Sequence, residues 1–433
     1  MHSRSILSGL IRKSKTSSGR ILVLTGARQT GKTTLVKLGF PEMKYIALDD
    51  PIMAVHYTSM TAEQWHHSFP SAILDEVQKT PSLIESIKAV YDNFPETRYL
   101  LTGSSQLLLL NKIRETLAGR CTIFELFPLT IPEMMTRSWE EDVPLSYFQL
   151  FMNRLEIPEL LPAFSMDPGY AEKKNAFSYY LCNGGYPTLI DPVMNDDERF
   201  EWLTSYVRTY LERDIRDLAD FRSLEPFVKV QRMSSLLTGE LLNYSELARE
   251  SGVAVATAQK FINYMDISYQ TIQLQPWSRN SLKRLVKSPK LHYLDPGVRN
   301  AIIRKRGDIT GNEFESAVVA EIYKQSKNLN LPLFFYHLRT SDGREIDLLL
   351  ESEKGYVAIE IKLASRIEKT DARHLTGLES LLDKPLILSF VLSNDDRIRQ
   401  ISDNVLAIPA AMFLSPFGFQ STSTSTGSMK QII

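Results

Sequence analysis

The sequence predicts an α/β protein: a mostly parallel sheet covered by helices, then a helical segment, a module of short helices and a second, smaller α/β unit. Three observations carry this. Short apolar runs alternate with helix-like stretches through the first third of the chain, the pattern of successive βαβ units. The first run, ILVLT from Ile21, opens into a glycine-bearing loop and a helix-like TTLVKLGF. After Gly311, helix-like NEFESAVVAEIYKQS precedes three more strand-like runs, LFFYHLR, EIDLLLE and YVAIEIKL.

Residues 1–135 make the first unit, whose later strands are YIAL (Tyr45 to Leu48), AILD (Ala72 to Asp75) and RYLLTG (Arg98 to Gly103). Residues 136–221 read as a helical lid or connector, punctuated by glycine and proline in MDPGY and CNGGYP. Over 222–304, YSELARES, the turn GVA and VATAQKFINYMD precede LQPWSRNSLKRLVKSPKLHYL, an order that predicts a winged helix-turn-helix. Residues 305–411 form the second α/β unit. The tail, 412–433, ends in Ser/Thr-rich low complexity, which buries too little apolar surface to offset ordering entropy and is expected to be mobile.

Composition sets bounds on function. A chain of 433 residues needs several cores, and 43% hydrophobic with 23% charged residues is the balance of a soluble globular protein. A net charge of -1 excludes a wholly basic nucleic-acid coat but not a local basic patch. Cys121 and Cys182 stand outside any CxxC spacing, which argues against a disulfide framework or a structural zinc site. With no signal-peptide core and no long apolar run, the chain is expected to be cytoplasmic, without contact with a membrane. His66-His67 and the other histidines lack metal-ligand spacing.

The loop after ILVLT reads Gly26-Ala27-Arg28-Gln29-Thr30-Gly31-Lys32-Thr33, followed by Thr34; it fits GxxxxGK[ST], with the strand before it and the helix after it that the motif requires. Glycines let the backbone wrap a phosphate so that successive N–H groups point inward, and the helix adds its positive end. Lys32 is expected to reach the β- and γ-phosphates of ATP, and Thr33 to ligate Mg²⁺. Asp75 and Glu76, ending the apolar AIL run, supply the metal-holding aspartate and the general base for an attacking water. Ser104, after RYLLTG, is a candidate γ-phosphate sensor.

GARQTGKTTL, LDEVQKTPSLIESIKAVYD, LLTGSS, ETLAGR and FELFPLTIPEM together resemble a bacterial and archaeal AAA-type P-loop ATPase family with a C-terminal domain of unknown function. CNGGYP, YVRTYLERDI, GNEFE, REID and AIEIK extend the resemblance over nearly the whole chain. It implies that Arg120 serves as an arginine finger, in its own subunit or across to a neighbour in a homo-oligomer. Ala27 stands where many relatives carry proline, a change that costs only stiffness in the turn.

Asp347 with Glu360-Ile-Lys362 resembles a PD-(D/E)xK nuclease core lacking the proline, which implies a restriction-endonuclease-like fold for the second α/β unit. Glu360 and Lys362 share a strand face, and a hairpin through ESEKGY brings Asp347 opposite them. Two carboxylates can hold Mg²⁺ while Lys362 orients water. Glu315 adds a third carboxylate, Glu345 shares a face with Asp347, and Arg339 is placed to contact phosphate. A domain that grips DNA without cutting it remains the alternative. Arg279, Lys283, Arg284, Lys287 and Lys290, beside Trp277, are the candidate DNA contacts, with Gln259 and Lys260 on the recognition helix. A nucleotide-dependent switch that docks a protein partner is the competing reading.

Overall fold

The computed structural model describes residues 1–103, 113, 115–154, 169–211, 223–279 and 288–418. Its first sheet holds β1 (Ile21–Thr25), β2 (Lys44–Ala47), β3 (Ser71–Asp75), β4 (Arg98–Gly103) and β5 (Cys121–Glu125), all parallel, in the order β2-β3-β4-β1-β5. Around it lie α1 (Ile6–Ser14), α2 (Lys32–Gly39), α3 (Pro51–Ser59), α4 (Ala62–Ser68) and α5 (Leu83–Asn93). Every residue of β1 is buried because both faces are covered, and the two-residue period sorts its side chains. Ile21 and Val23 join Trp65, Ile84 and Ile87 on one side; Leu22 and Leu24 join Ile6, Leu10 and Leu35 on the other.

Next come α6 (Tyr147–Arg154), α7 (Tyr170–Asn183) and α8 (Asp196–Tyr206), then α9 (Glu225–Leu236), α10 (Tyr244–Ser251) and α11 (Val255–Ile267). The turn between α10 and α11 uses Gly252 at φ 69. A hairpin of β6 (Thr271–Pro276) and β7 (Lys290–Tyr293) follows, with Leu274 opposite Lys290, and then α12 (Pro296–Ile303).

The hairpin does not stand apart from what comes after it. α13 (Gly311–Asn328), β8 (Phe334–Arg339), β9 (Glu345–Glu351), β10 (Tyr356–Lys362), β11 (Leu386–Ser393), β12 (Arg399–Ser402) and β13 (Val405–Pro409) complete the chain's order. Among the described residues the second sheet has eight strands, β12-β13-β11-β10-β9-β8-β6-β7, and β6 joins it by pairing Gln275 with Tyr336 and Pro276 with His337. The division expected at 304/305 therefore runs through one continuous sheet.

The expectation of a mobile tail from 412 is corrected over its first residues. Ala410–Phe413 forms a buried helical turn, Leu414 and Ser415 are also buried, and Phe417 N–H donates to Leu145 O at 2.8 Å. The apolar AAMFLSPF supplies the area that the Ser/Thr run lacks; residues 419–433 lie outside the described residues.

Buried polar groups of α13 tie the two sheets together. Glu321 and Lys324 pair at 2.8 Å with no exposure, Glu321 accepts from Ile131 N–H at 2.7 Å, and Lys324 donates to Leu129 O at 3.3 Å. Asn328 donates to Glu133 at 3.1 Å. Ala27 and Phe127 lie in the same apolar cluster as Phe314, Val318 and Leu348, so the base of the glycine loop packs on the C-terminal unit. No helix among the described residues is long and apolar enough to cross a membrane.

Candidate functional site

The glycine loop leaves the C-terminal end of β1 and turns into α2. Gly26, at φ 152, passes so near β5 that a Cβ would lie 2.2 Å from Leu126 O, so only glycine fits. Gly31 at φ 90 caps α2, and Gln29 takes φ 63 between them. From beneath, the buried Arg4 donates to Thr30 O at 3.0 Å and Phe127 O at 2.5 Å, and pairs with Glu133 at 3.5 Å. Thr30 Oγ1 closes the loop on Ala27 O at 2.9 Å.

Across the switch from β1 to β3, Thr33 Oγ1 donates to Asp75 Oδ2 at 2.8 Å. Tyr45 Oη donates to the same oxygen at 2.7 Å, and Thr102 Oγ1 donates to Oδ1. Burial and this bond to Asp75 hold the Tyr45 hydroxyl protonated well beyond its ordinary range. Lys32 is buried and donates to Gly26 O at 2.9 Å and Ala27 O at 2.8 Å. Glu76 takes a left-handed conformation at φ 60, uncommon outside glycine, and accepts from Gln78 Nε2. Arg28, Gln29, Gly31, Lys32, Thr33, Thr34 and Glu76 line one cleft, together with Pro187 and Thr188 of the helical segment.

Two expectations fare differently. Ser104 lies outside the described residues. Arg120 is corrected as a finger for its own chain's nucleotide. It precedes Cys121, which pairs with Ile21, so it lies at the end of β1 opposite the glycine loop, roughly 13 Å away by strand rise. There its guanidinium forks onto Asp92 at 2.8 and 3.2 Å. Parallel strands fix this: a residue entering β5 cannot sit where β1 exits.

Sequence reading missed the groups that connect this cleft to the rest of the molecule. Tyr269, at the end of α11, shares a 2.7 Å hydrogen bond with Thr25, the residue before Gly26, and donates to Glu125 at 3.3 Å. Tyr206 donates to Arg28 O at 3.2 Å and bonds Tyr186 at 2.9 Å. Gly185, in CNGGYP, lies where a Cβ would be 2.1 Å from Leu129 O, and its N–H donates to Asp295 at 2.8 Å. The glycine pair in the sequence was the only local signal for that contact.

A second cluster lies between β7, α13, β9 and β10. Ile359 pairs with Leu348, so Asp347 and Glu360 follow on facing strands, and Glu315 approaches from α13. These three, with Lys362, Glu345 and Arg339, line one cavity of about 630 Å³ together with His374 and Lys290. Lys290 is therefore corrected as a DNA contact. It is 3% exposed, and its ammonium lies 2.6 Å from Glu315, 3.3 Å from Glu345 and 3.4 Å from Asp347. Burial alone would lower the Lys290 pKa, but Glu315 and Asp347 outweigh it and raise it. Lys362 bonds Glu360 at 2.7 Å. Burial, then the Asp347 charge, pushes both Glu315 and Glu360 above the usual carboxylate range. Among the described residues no three His, Cys, Asp or Glu side chains are arranged to hold a metal ion. The carboxylates thus do not fit a free divalent cation here; an ammonium stands among them.

Of the other basic candidates, Arg279 donates to the carbonyls of Ser380, Leu381 and Leu382 at 2.9 to 3.0 Å, anchoring a loop, and Trp277 is buried against Tyr356. Lys283, Arg284 and Lys287 lie outside the described residues. Gln259 and Lys260 are exposed on α11. His66 stacks on Phe94 with ring centroids 4.2 Å apart and meets Glu96 at 3.2 Å, a surface role.

Three family models match successive stretches of the chain. Residues 18–135 match the model of an AAA domain, residues 174–308 a domain of unknown function (DUF8612), and residues 310–413 another (DUF4143). Uncharacterized protein Rv2008c of Mycobacterium tuberculosis is 26% identical over 415 residues, covering 91% of this chain and 81% of that protein. An uncharacterized protein of Haemophilus influenzae is 20% identical over 378 residues, covering 81% and 85%. Among solved structures, the Walker-type ATPase PABY2304 of Pyrococcus abyssi is 14% identical, with a TM-score of 0.42, covering 70% of this chain and 96% of that one. The first unit is an AAA-type domain with a P-loop ATPase-like fold.

Proposed function

We propose that the chain binds Mg²⁺–ATP in the Gly26–Thr33 cleft, hydrolyses it, and uses nucleotide state to reposition its helix-turn-helix and C-terminal units on DNA. The supporting observation is the 2.8 Å bond from Thr33 to Asp75, which joins the end of the glycine loop to the end of β3, one strand beyond the neighbour of β1. Thr33 and Asp75 would hold Mg²⁺, which offsets charge developing on the transferred phosphoryl group. Lys32 exchanges its loop carbonyls for phosphate oxygens, and the loop N–H groups orient the triphosphate. Glu76 accepts the proton of the attacking water, and ADP and phosphate leave.

The link to DNA is supported by the exposed Gln259 and Lys260 on α11, which follows α10 across the Gly252 turn, and by Tyr269, which joins the end of α11 to Thr25. A second reading has its own support: Lys290 within the carboxylate cluster favours a nucleotide switch that docks a protein partner through a silent C-terminal unit. The two separate in a steady-state phosphate-release assay with and without duplex DNA. Several-fold stimulation that weakens in Lys260→Glu and at high salt supports DNA coupling. Turnover indifferent to DNA would sink it in favour of the switch.

A further inference from the structure

The C-terminal cavity contains four carboxylates, on Glu315, Glu345, Asp347 and Glu360, gathered from one helix and two strands. Such a set attracts a cation, and the chain supplies one. Three of them converge on a single Nζ at 2.6 to 3.4 Å. Those are N–H···O separations, longer than the roughly 2.0–2.1 Å of Mg²⁺–oxygen bonds. Both Asp347 oxygens are engaged: Oδ1 faces Lys290, while Oδ2 accepts from Ile361 N–H at 2.8 Å and lies 3.7 Å from Lys362. The ammonium belongs to β7, an edge strand of the sheet, and its backbone is pinned opposite Leu274 and in a bridge to Leu241. Two neutral histidines flank it: burial, then the Lys290 charge, lowers His292 far below its ordinary pKa and brings His337 to about 4.

We propose that Lys290 is a tethered counter-ion that neutralises this carboxylate cluster, so that the cluster takes no divalent cation while Lys290 is in place. This holds whether or not the chain hydrolyses ATP, because no part of it depends on the glycine loop.

Mn²⁺ titration of the nucleotide-free full-length chain, read by the electron paramagnetic resonance of free Mn²⁺, tests it. Wild type and Asp347→Asn are expected to bind the same number of ions, since the cluster takes none while Lys290 is in place. Lys290→Met, which keeps the aliphatic stem, is expected to bind one more Mn²⁺ per chain and to melt higher in Mn²⁺ than in EDTA. Lys290→Met with Asp347→Asn should lose both gains. A folded Lys290→Met that gains no ion would overturn the proposal, and so would a wild-type chain that loses an ion on Asp347→Asn. The second comparison can still overturn the proposal even if Lys290→Met does not fold.

Discussion

Asp75 is held in place by hydroxyls from Thr33, Tyr45 and Thr102, which converge on its two oxygens. The sequence makes the first partner legible, since Thr33 and Asp75 each belong to a motif of fixed local spacing. Tyr45 and Thr102 come from neighbouring strands whose order no local pattern states. Lys290 was misread for the same reason. Among nearby basic residues it looks like part of a solvated patch, yet its partners lie 25 to 57 positions downstream. Asp266 carries a further consequence. Burial raises its pKa from 3.8 to about 7, although Thr271 and Gln273 donate to it and pull the other way. A carboxyl with a raised folded pKa takes up a proton on folding, so its contribution is intact at low pH and is lost as pH climbs from about 4 through 7. Thermal melts of Asp266→Asn are therefore expected to gain on wild type between pH 5 and 8; parallel profiles would refute the shift.

Among the elements, strands were the most legible, because fully buried parallel strands read as unbroken apolar runs. Their direction corrects Arg120, since the parallel pairing of β1 with β5 sends it to the far end of the sheet. The sharing of one sheet by β6, β7 and β8 was not legible, as it rests on two residue pairs about sixty positions apart. α13 shows how an element can look amphipathic and still be buried all round: its polar Glu321, Lys324, Gln325 and Asn328 are spent on contacts inside the protein. Glu321→Ala leaves Lys324 buried without its anion, so chemical denaturation should show a loss of about 3–5 kcal/mol. A loss under about 1 kcal/mol would mean that water reaches the pair.

At the scale of the whole molecule, a path of contacts runs from the nucleotide cleft to the C-terminal cavity. Thr25 bonds Tyr269, Tyr269 lies two residues before β6, and β6 pairs with the strand that begins at Lys290. Tyr269→Phe removes one buried hydroxyl, worth about 1 kcal/mol. It is expected to bring DNA-stimulated phosphate release down towards the basal rate while the basal rate holds; stimulation equal to wild type would show that coupling runs elsewhere. All of this presupposes that the glycine loop is a working phosphate site. The direct measurement is phosphate release from Mg²⁺–ATP by the full-length chain and by Lys32→Ala at matched melting temperature. Turnover in wild type, reduced at least about a hundredfold in the variant, is expected; equal rates in the two would contradict it.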